Sequence, residues 1–153
     1  AYREYFMQML DALKTRTMDE VLALPEVQEK KQRMAQQDAQ FREITLATSR
    51  LDGNVVFTDF RDVSPMPVGN RFIVYTLFPQ ANVQLRVHWG PSKTHVAAAV
   101  GHSIFNRTSR TKVGTLMSAY GGGGHKGAGT CLLPAATADL KIAEIIAALK
   151  KDG

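Results

Sequence analysis

Apolar positions recur at helical spacing along the first part of the chain and alternate along the middle, so the pattern predicts helices first and a sheet after them. Phe6, Met9, Leu10 and Leu13 form one helical stripe. Thr17, followed by Asp19 and Glu20, has the composition of a helix start and leads into Val21 and Leu22. Pro25 restarts the pattern, and from Glu26 to about Phe41 only Val27, Met34 and Phe41 repeat, seven apart, in a polar run. So narrow a stripe suits a connector helix, with the seam of a homodimer as the alternative use; the repeats are few for a coiled coil.

From Ile44 the period becomes two. Ile44 to Thr48 and Val55 to Thr58 read as strands flanking the turn signal Asp52-Gly53. Arg71 to Phe78 reads as a strand closed by Pro79. Val83, Leu85, Val87 and Trp89 alternate with Gln84, Arg86 and His88, the clearest half-buried strand in the chain. Gly90-Pro91-Ser92 turns the chain into a further strand from Thr94 to Val100. Val113, Leu116, Met117 and Tyr120 return to helical spacing, Thr130 to Leu133 has a buried-strand composition, and Ile142, Ile145, Ile146 and Leu149 line one face of a closing helix. The fold class that follows is α+β: a mostly antiparallel mixed sheet of five or six strands covered by helices and preceded by a helical connector segment.

Composition adds limits. The chain has 153 residues, 44% of them hydrophobic and 22% charged, enough for one domain with an appendage. No apolar stretch approaches a membrane span and the N-terminus lacks a signal-peptide pattern, so no membrane partner and a cytoplasmic location are expected. The single Cys131 lies in the apolar segment Thr130 to Leu133, which makes it a buried small side chain. A net charge of +5 favours acidic partners, and its distribution sharpens the point. Arg107, Arg110 and Lys112 precede the helix that ends at Tyr120, His125 and Lys126 follow it, and residues 101–138 contain no Asp or Glu. That is the composition of a local positive field for phosphate, or of a plain solvated basic face.

The candidate chemistry centres on Gly121 to Gly129, read as GGGGHKGAG. Glycines expose backbone N–H groups at angles other residues do not adopt, so Gly122, Gly123 and Gly124 with His125 and Lys126 suit an anion grip; a tight structural turn is the competing reading. His102, at the end of a predicted strand beside Ser103, Asn106 and Arg107, is a second place where polar groups converge. Ser109 or Thr108 fits the N-cap of the next helix. His88 reads as a surface histidine. No catalytic constellation is visible: the four histidines have no close carboxylate companions in sequence, and no metal site is expected within the chain.

The glycine run, preceded by VGHSIFNRTSR at Val100 to Arg110, resembles the C-terminal DHH-associated domain of the DHH (Asp-His-His) phosphoesterases, in the branch of exopolyphosphatase-related and short-oligonucleotide phosphodiesterases. The resemblance covers about Ile44 to Leu149. It implies a substrate-binding domain that closes nucleotide or phosphate against an N-terminal domain whose Asp and His residues hold divalent metal, usually manganese. By position, Gly122, Gly123, Gly124 and His125 match the family's glycine-histidine motif and Lys126 a basic position. Arg107 and Ser109 fall where the family places polar phosphate contacts.

No Asp-His-His sequence occurs here, so the resemblance implies that the catalytic domain lies outside this chain. Residues 1–42 then read as the helical tail of that domain plus a connector helix, and residues 43–153 as the DHH-associated domain. The expected role is binding a short oligonucleotide or other phosphate substrate for a metal-dependent phosphoesterase, with no cofactor in this chain and no hydrolysis by it alone. The alternative is a nucleic-acid-binding module without hydrolytic role, as in the C-terminal domain of alanyl-tRNA synthetases. Sequence does not choose among short RNA, cyclic dinucleotide, nucleoside bisphosphate and polyphosphate.

Overall fold

The structure, a computed structural model, describes residues 2–153. It divides into two compact units, one ending at Gln40 and one running from Phe41 to Gly153.

The first unit is helical. Helix α1 spans Tyr2–Thr15 and α2 spans Met18–Leu22. The start of α2 is fixed by a capping box: the Glu20 N–H donates to the Thr17 hydroxyl while the Thr17 N–H donates to the Glu20 carboxylate at 2.8 Å. Helix α3 begins at Pro25, whose missing N–H costs nothing in a first turn, and continues to Thr48. Residues 31–40 of α3 are all exposed.

Two expected strands are helical instead. Ile44 to Thr48 is the end of α3, because Phe41 and Thr45, four apart, are its two buried positions, a helical spacing that tertiary burial enforces. Phe41, the last of the stripe Val27, Met34 and Phe41, packs on Phe60 within the second unit and is 5% exposed. Arg71 to Phe78 folds into a 3₁₀ turn and the short helix α4 at Val74–Leu77, started by Asn70, whose side chain accepts from the Phe72 N–H. A short apolar run cannot distinguish a strand from a buried helical turn by period alone, and here the cap decides.

The second unit is a six-stranded sheet in the order β1-β2-β3-β4-β6-β5: Ser49–Asp52, Val55–Asp59, Val83–Trp89, His95–His102, Ala128–Pro134 and Gly123–His125 for β1, β2, β3, β4, β6 and β5. Among the described residues only β2 and β3 run parallel; the other pairings are antiparallel. One face carries Val55, Phe57, Leu85, Val87, Val96, Ala98 and Leu133 into the main core. Helices α5 (Val113–Ser118) and α6 (Ala138–Lys151) close that face, α6 burying the predicted Ile142, Ile145, Ile146 and Leu149. Cys131 is buried there too, and burial raises its thiol pKa. On the opposite face Val56 packs with Val74, Tyr75 and Ala81 in a smaller cluster. The rest of that face is where the sheet stays open.

Candidate anion-binding site

Strand register places the floor of the site. Gln84 pairs with Gly101, Gly101 with Ala128 and Ala128 with His125, so these four lie in one row across β3, β4, β6 and β5. Another row holds Thr58, Arg86, Ala99 and Thr130. Partners directly opposite share a face, so Arg86 and His125 face the same way, with small residues between them as a floor.

A pocket of about 270 Å³ opens on this floor, bordered by Arg71, Tyr75, Arg86, His102 and His125. Among the described residues, no Asp or Glu lines it. Arg71 is delivered by the turn before α4, its guanidinium 4.8 Å from the Phe72 ring. Tyr75 donates to the Gly101 carbonyl at 2.7 Å, and burial holds its hydroxyl pKa well above the usual phenol value. Burial first, and the charge of Arg71 second, disfavour the cationic form of Arg86. Its Nε–H is buried with no hydrogen-bond partner among the described residues. Two guanidinium groups share one concavity without a counter-charge, which is costly unless an anion completes it.

The histidines are oriented by the backbone. The Gly127 N–H donates to His125 Nδ1 at 3.3 Å, which leaves Nε2 as the protonated nitrogen of the neutral ring. His102 Nε2 faces the Thr111 carbonyl at 3.0 Å, so that nitrogen carries a hydrogen and Nδ1 stays available. His88, on the same sheet face, has a buried Nδ1 without a partner among the described residues. Burial, reinforced by Arg86, lowers its pKa below 6.5.

The glycine run is a hairpin wall rather than an open loop. Gly123 to His125 form β5, paired with β6. The Gly122 N–H donates to the Met117 carbonyl at 2.9 Å and the Gly121 N–H to the Ser118 carbonyl at 3.1 Å, closing the end of α5. Gly122 is therefore not a free donor for a ligand. A Cβ on Gly122 would collide with the Thr130 carbonyl oxygen, and one on Gly124, at φ +154°, with that of Ala128. Close backbone packing requires both glycines. Gly123 alone of the three faces open space.

The remaining candidates separate. Lys126 borders a different, outer concavity of about 460 Å³ with Lys112, Thr115 and Ser118; His125 lines both. Arg107 turns back on its own loop, Nε donating to the Ile104 carbonyl at 3.0 Å. The Ser109 hydroxyl is buried without a partner among the described residues. Neither Ser109 nor Thr108 caps α5: the residue at its N-cap is Lys112, with no side-chain cap bond, while Thr108 bonds Asn82 and Asn106. The sequence points to His102 and His125 but not to Arg71, Arg86 or Tyr75. The signal for Arg86 is a polar position on an alternating strand facing small residues of β4.

Among the described residues, no group of three or more His, Cys, Asp or Glu stands close enough to hold a metal ion, so their donor set does not fit a divalent metal. No helix among the described residues is long and apolar enough to cross a membrane.

Solved structures give the context. The chain aligns over its full length with 52% of the pGpG-specific phosphodiesterase PggH from Vibrio cholerae, at 35% sequence identity and a TM-score of 0.94. It thus spans about half of that protein. An exopolyphosphatase-related protein from Bacteroides fragilis aligns with 97% of this chain and 44% of its own, at 10% identity and a TM-score of 0.60. The DHH domain of a member of a family of ribosomal proteins aligns with 83% of this chain and 32% of its own, at 17% identity and a TM-score of 0.51. At those identities the last two show a shared fold only. No protein-family model matches the chain, and no curated protein does.

Proposed function

Since this chain belongs to the DHH phosphoesterase family, we propose that its second unit is the DHH-associated domain and holds the phosphate-bearing end of a short oligonucleotide for hydrolysis by residues outside the chain. The observation that carries the reading is the acid-free pocket with two uncompensated guanidinium groups, Arg71 and Arg86, beside His102 and His125.

In this reading Arg86 and Arg71 neutralise a terminal phosphate, and the Nε2–H of His125 donates a hydrogen bond to a phosphate or sugar oxygen. The floor of Ala99, Gly101 and Ala128 leaves room for the rest of the nucleotide. The gain to the reaction is positional: a substrate fixed against this sheet presents one phosphodiester bond to the hydrolytic half. Gly123 and Lys126 border the same hairpin and would attract the next phosphate. Divalent metal, expected to be manganese, belongs with the hydrolytic half. The dinucleotide pGpG, for which the Vibrio protein is specific, is the first ligand to try.

The test is a calorimetric titration of this chain with a 5′-phosphorylated dinucleotide, without metal, at two salt concentrations. The parent should bind, and Arg86→Gln should weaken binding roughly 10- to 100-fold, the loss expected for hydrogen bonds to a charged group worth about 1.5–3 kcal/mol. Binding that ignores Arg86→Gln, or a marked preference for long or folded RNA over the dinucleotide, would overturn the proposal; the second result would favour the nucleic-acid module.

A further inference from the structure

The arginine pocket is rich in donors and poor in acceptors. Arg71, Arg86 and the His125 Nε2–H all donate, and no described carboxylate lines the pocket to accept. The Tyr75 oxygen is already engaged: its hydroxyl donates to the Gly101 carbonyl at 2.7 Å and takes a hydrogen bond from the Gln84 main chain. His102, whose Nδ1 is available, only borders the pocket from the end of β4. On the floor itself one side-chain acceptor remains, Oε1 of Gln84.

Gln84 is held in one orientation. It alternates with Val83 and Leu85, which enter the core, so its side chain rises on the open face beside that of Arg86. Its Nε2–H donates to Thr58 Oγ1 at 2.9 Å, and Thr58 Oγ1 shares a 2.8 Å hydrogen bond with Ser49 Oγ. Thr58 is fully buried, so the amide nitrogen is anchored through β2 to β1. Oε1 accepts from no described residue. A carboxamide with its nitrogen committed and its oxygen free recognises a donor, and a phosphate dianion has none to give.

The ligand therefore needs a donor close to its phosphate. At about 270 Å³ the pocket is smaller than the roughly 300–1,000 Å³ of sites that enclose a whole small molecule, so it takes a phosphate and the sugar beside it. Gln84 and Arg86 stand two residues apart on β3, about 6.6 Å at 3.3 Å per residue, the step from a phosphate to its own sugar and not to the far edge of the base. In a 5′-phosphorylated dinucleotide the first ribose has one free hydroxyl, the 2′-OH, because its 3′ oxygen belongs to the phosphodiester bond. We propose that Gln84 is a specificity-determining residue that accepts a hydrogen bond from that 2′-hydroxyl, so that the pocket selects ribonucleotide over deoxyribonucleotide. The inference rests on the phosphate reading of the pocket and narrows its ligand to short RNA.

The test is a calorimetric titration of the full chain, without metal, with three forms of pGpG that differ only at the 2′ position of the first sugar: hydroxyl, hydrogen and fluorine. Fluorine keeps the ribose pucker but has no hydrogen to donate. The parent should bind the hydroxyl form roughly three- to tenfold more tightly than either of the others, the worth of one neutral hydrogen bond. Gln84→Leu, which keeps the bulk and removes the acceptor, should bring the three affinities together while its amide NMR spectrum stays that of a folded chain. Gln84→Glu, which keeps an acceptor, should retain the preference although its charge weakens binding of all three. Arg86→Gln should weaken all three alike and leave their ratio. Equal binding of the three by the parent, with Arg86→Gln still weakening each, would overturn this inference alone, as would a preference that survives Gln84→Leu. Binding of none by the parent would overturn the phosphate reading with it.

Discussion

At the scale of the residue, Arg86 carries the heaviest electrostatic burden of the open sheet face. It lies on β3 flanked across the strands by Thr58 and Ala99, so no acid in its own row balances it. His88, two residues along the same strand, gives a measurable consequence. Burial and Arg86 depress the folded pKa of His88 below 6.5, so below pH 6.5 the unfolded chain binds more protons than the folded one. Stability from this group is complete above pH 6.5 and declines as pH falls toward the folded pKa. His88→Gln should flatten the slope of unfolding free energy between pH 7 and 5; an unchanged slope would place the acid sensitivity elsewhere. The glycines supply a second contrast. Gly124→Ala drives a Cβ into backbone at φ +154° and should cost roughly 3 kcal/mol in denaturant melts, while Gly121→Ala, at φ +76° with open space around it, should cost only about 1 kcal/mol.

At the scale of the element, the sequence is most informative where one face of a strand or helix is fully buried. The alternation of Val83 to Trp89 and the stripe of α6 follow directly from burial on one side, and the structure has both. It is least informative where a short apolar run is shared between two covers. Phe41 and Thr45 turn Ile44 to Thr48 into helix, and the Asn70 cap turns Arg71 to Phe78 into a 3₁₀ turn and α4. That second change hides half of the site, since Arg71 reaches the pocket only because the chain turns there. His102 and His125 are legible from their motifs, whereas Arg86 needs the register that brings β3 beside the small residues of β4. Phe41→Ala should destabilise the second unit by about 3–5 kcal/mol in chemical denaturation, as for other buried aromatic truncations. A loss below about 1 kcal/mol would mean that the end of α3 does not close this core.

At the scale of the whole molecule, the two faces of the sheet divide the charge. The core-facing side pairs its cations with carboxylates around α6, and the open side gathers Arg71, Arg86 and His125 in a pocket that His102 borders from the end of β4 and that no described carboxylate lines. A domain built this way suits holding an anion more than cleaving one. Incubated alone with manganese and a dinucleotide, the chain should give no turnover above background, and turnover that depends on His125 would contradict the assignment of hydrolysis to residues outside it. Which face holds the ligand is decided by a two-dimensional NMR titration of the labelled chain with a 5′-phosphorylated dinucleotide. Shifts should concentrate at Arg71, Arg86, Gly101, His102 and His125. Shifts confined to Lys112, Thr115 and Ser118, or to the helices before Phe41, would contradict the proposed phosphate grip.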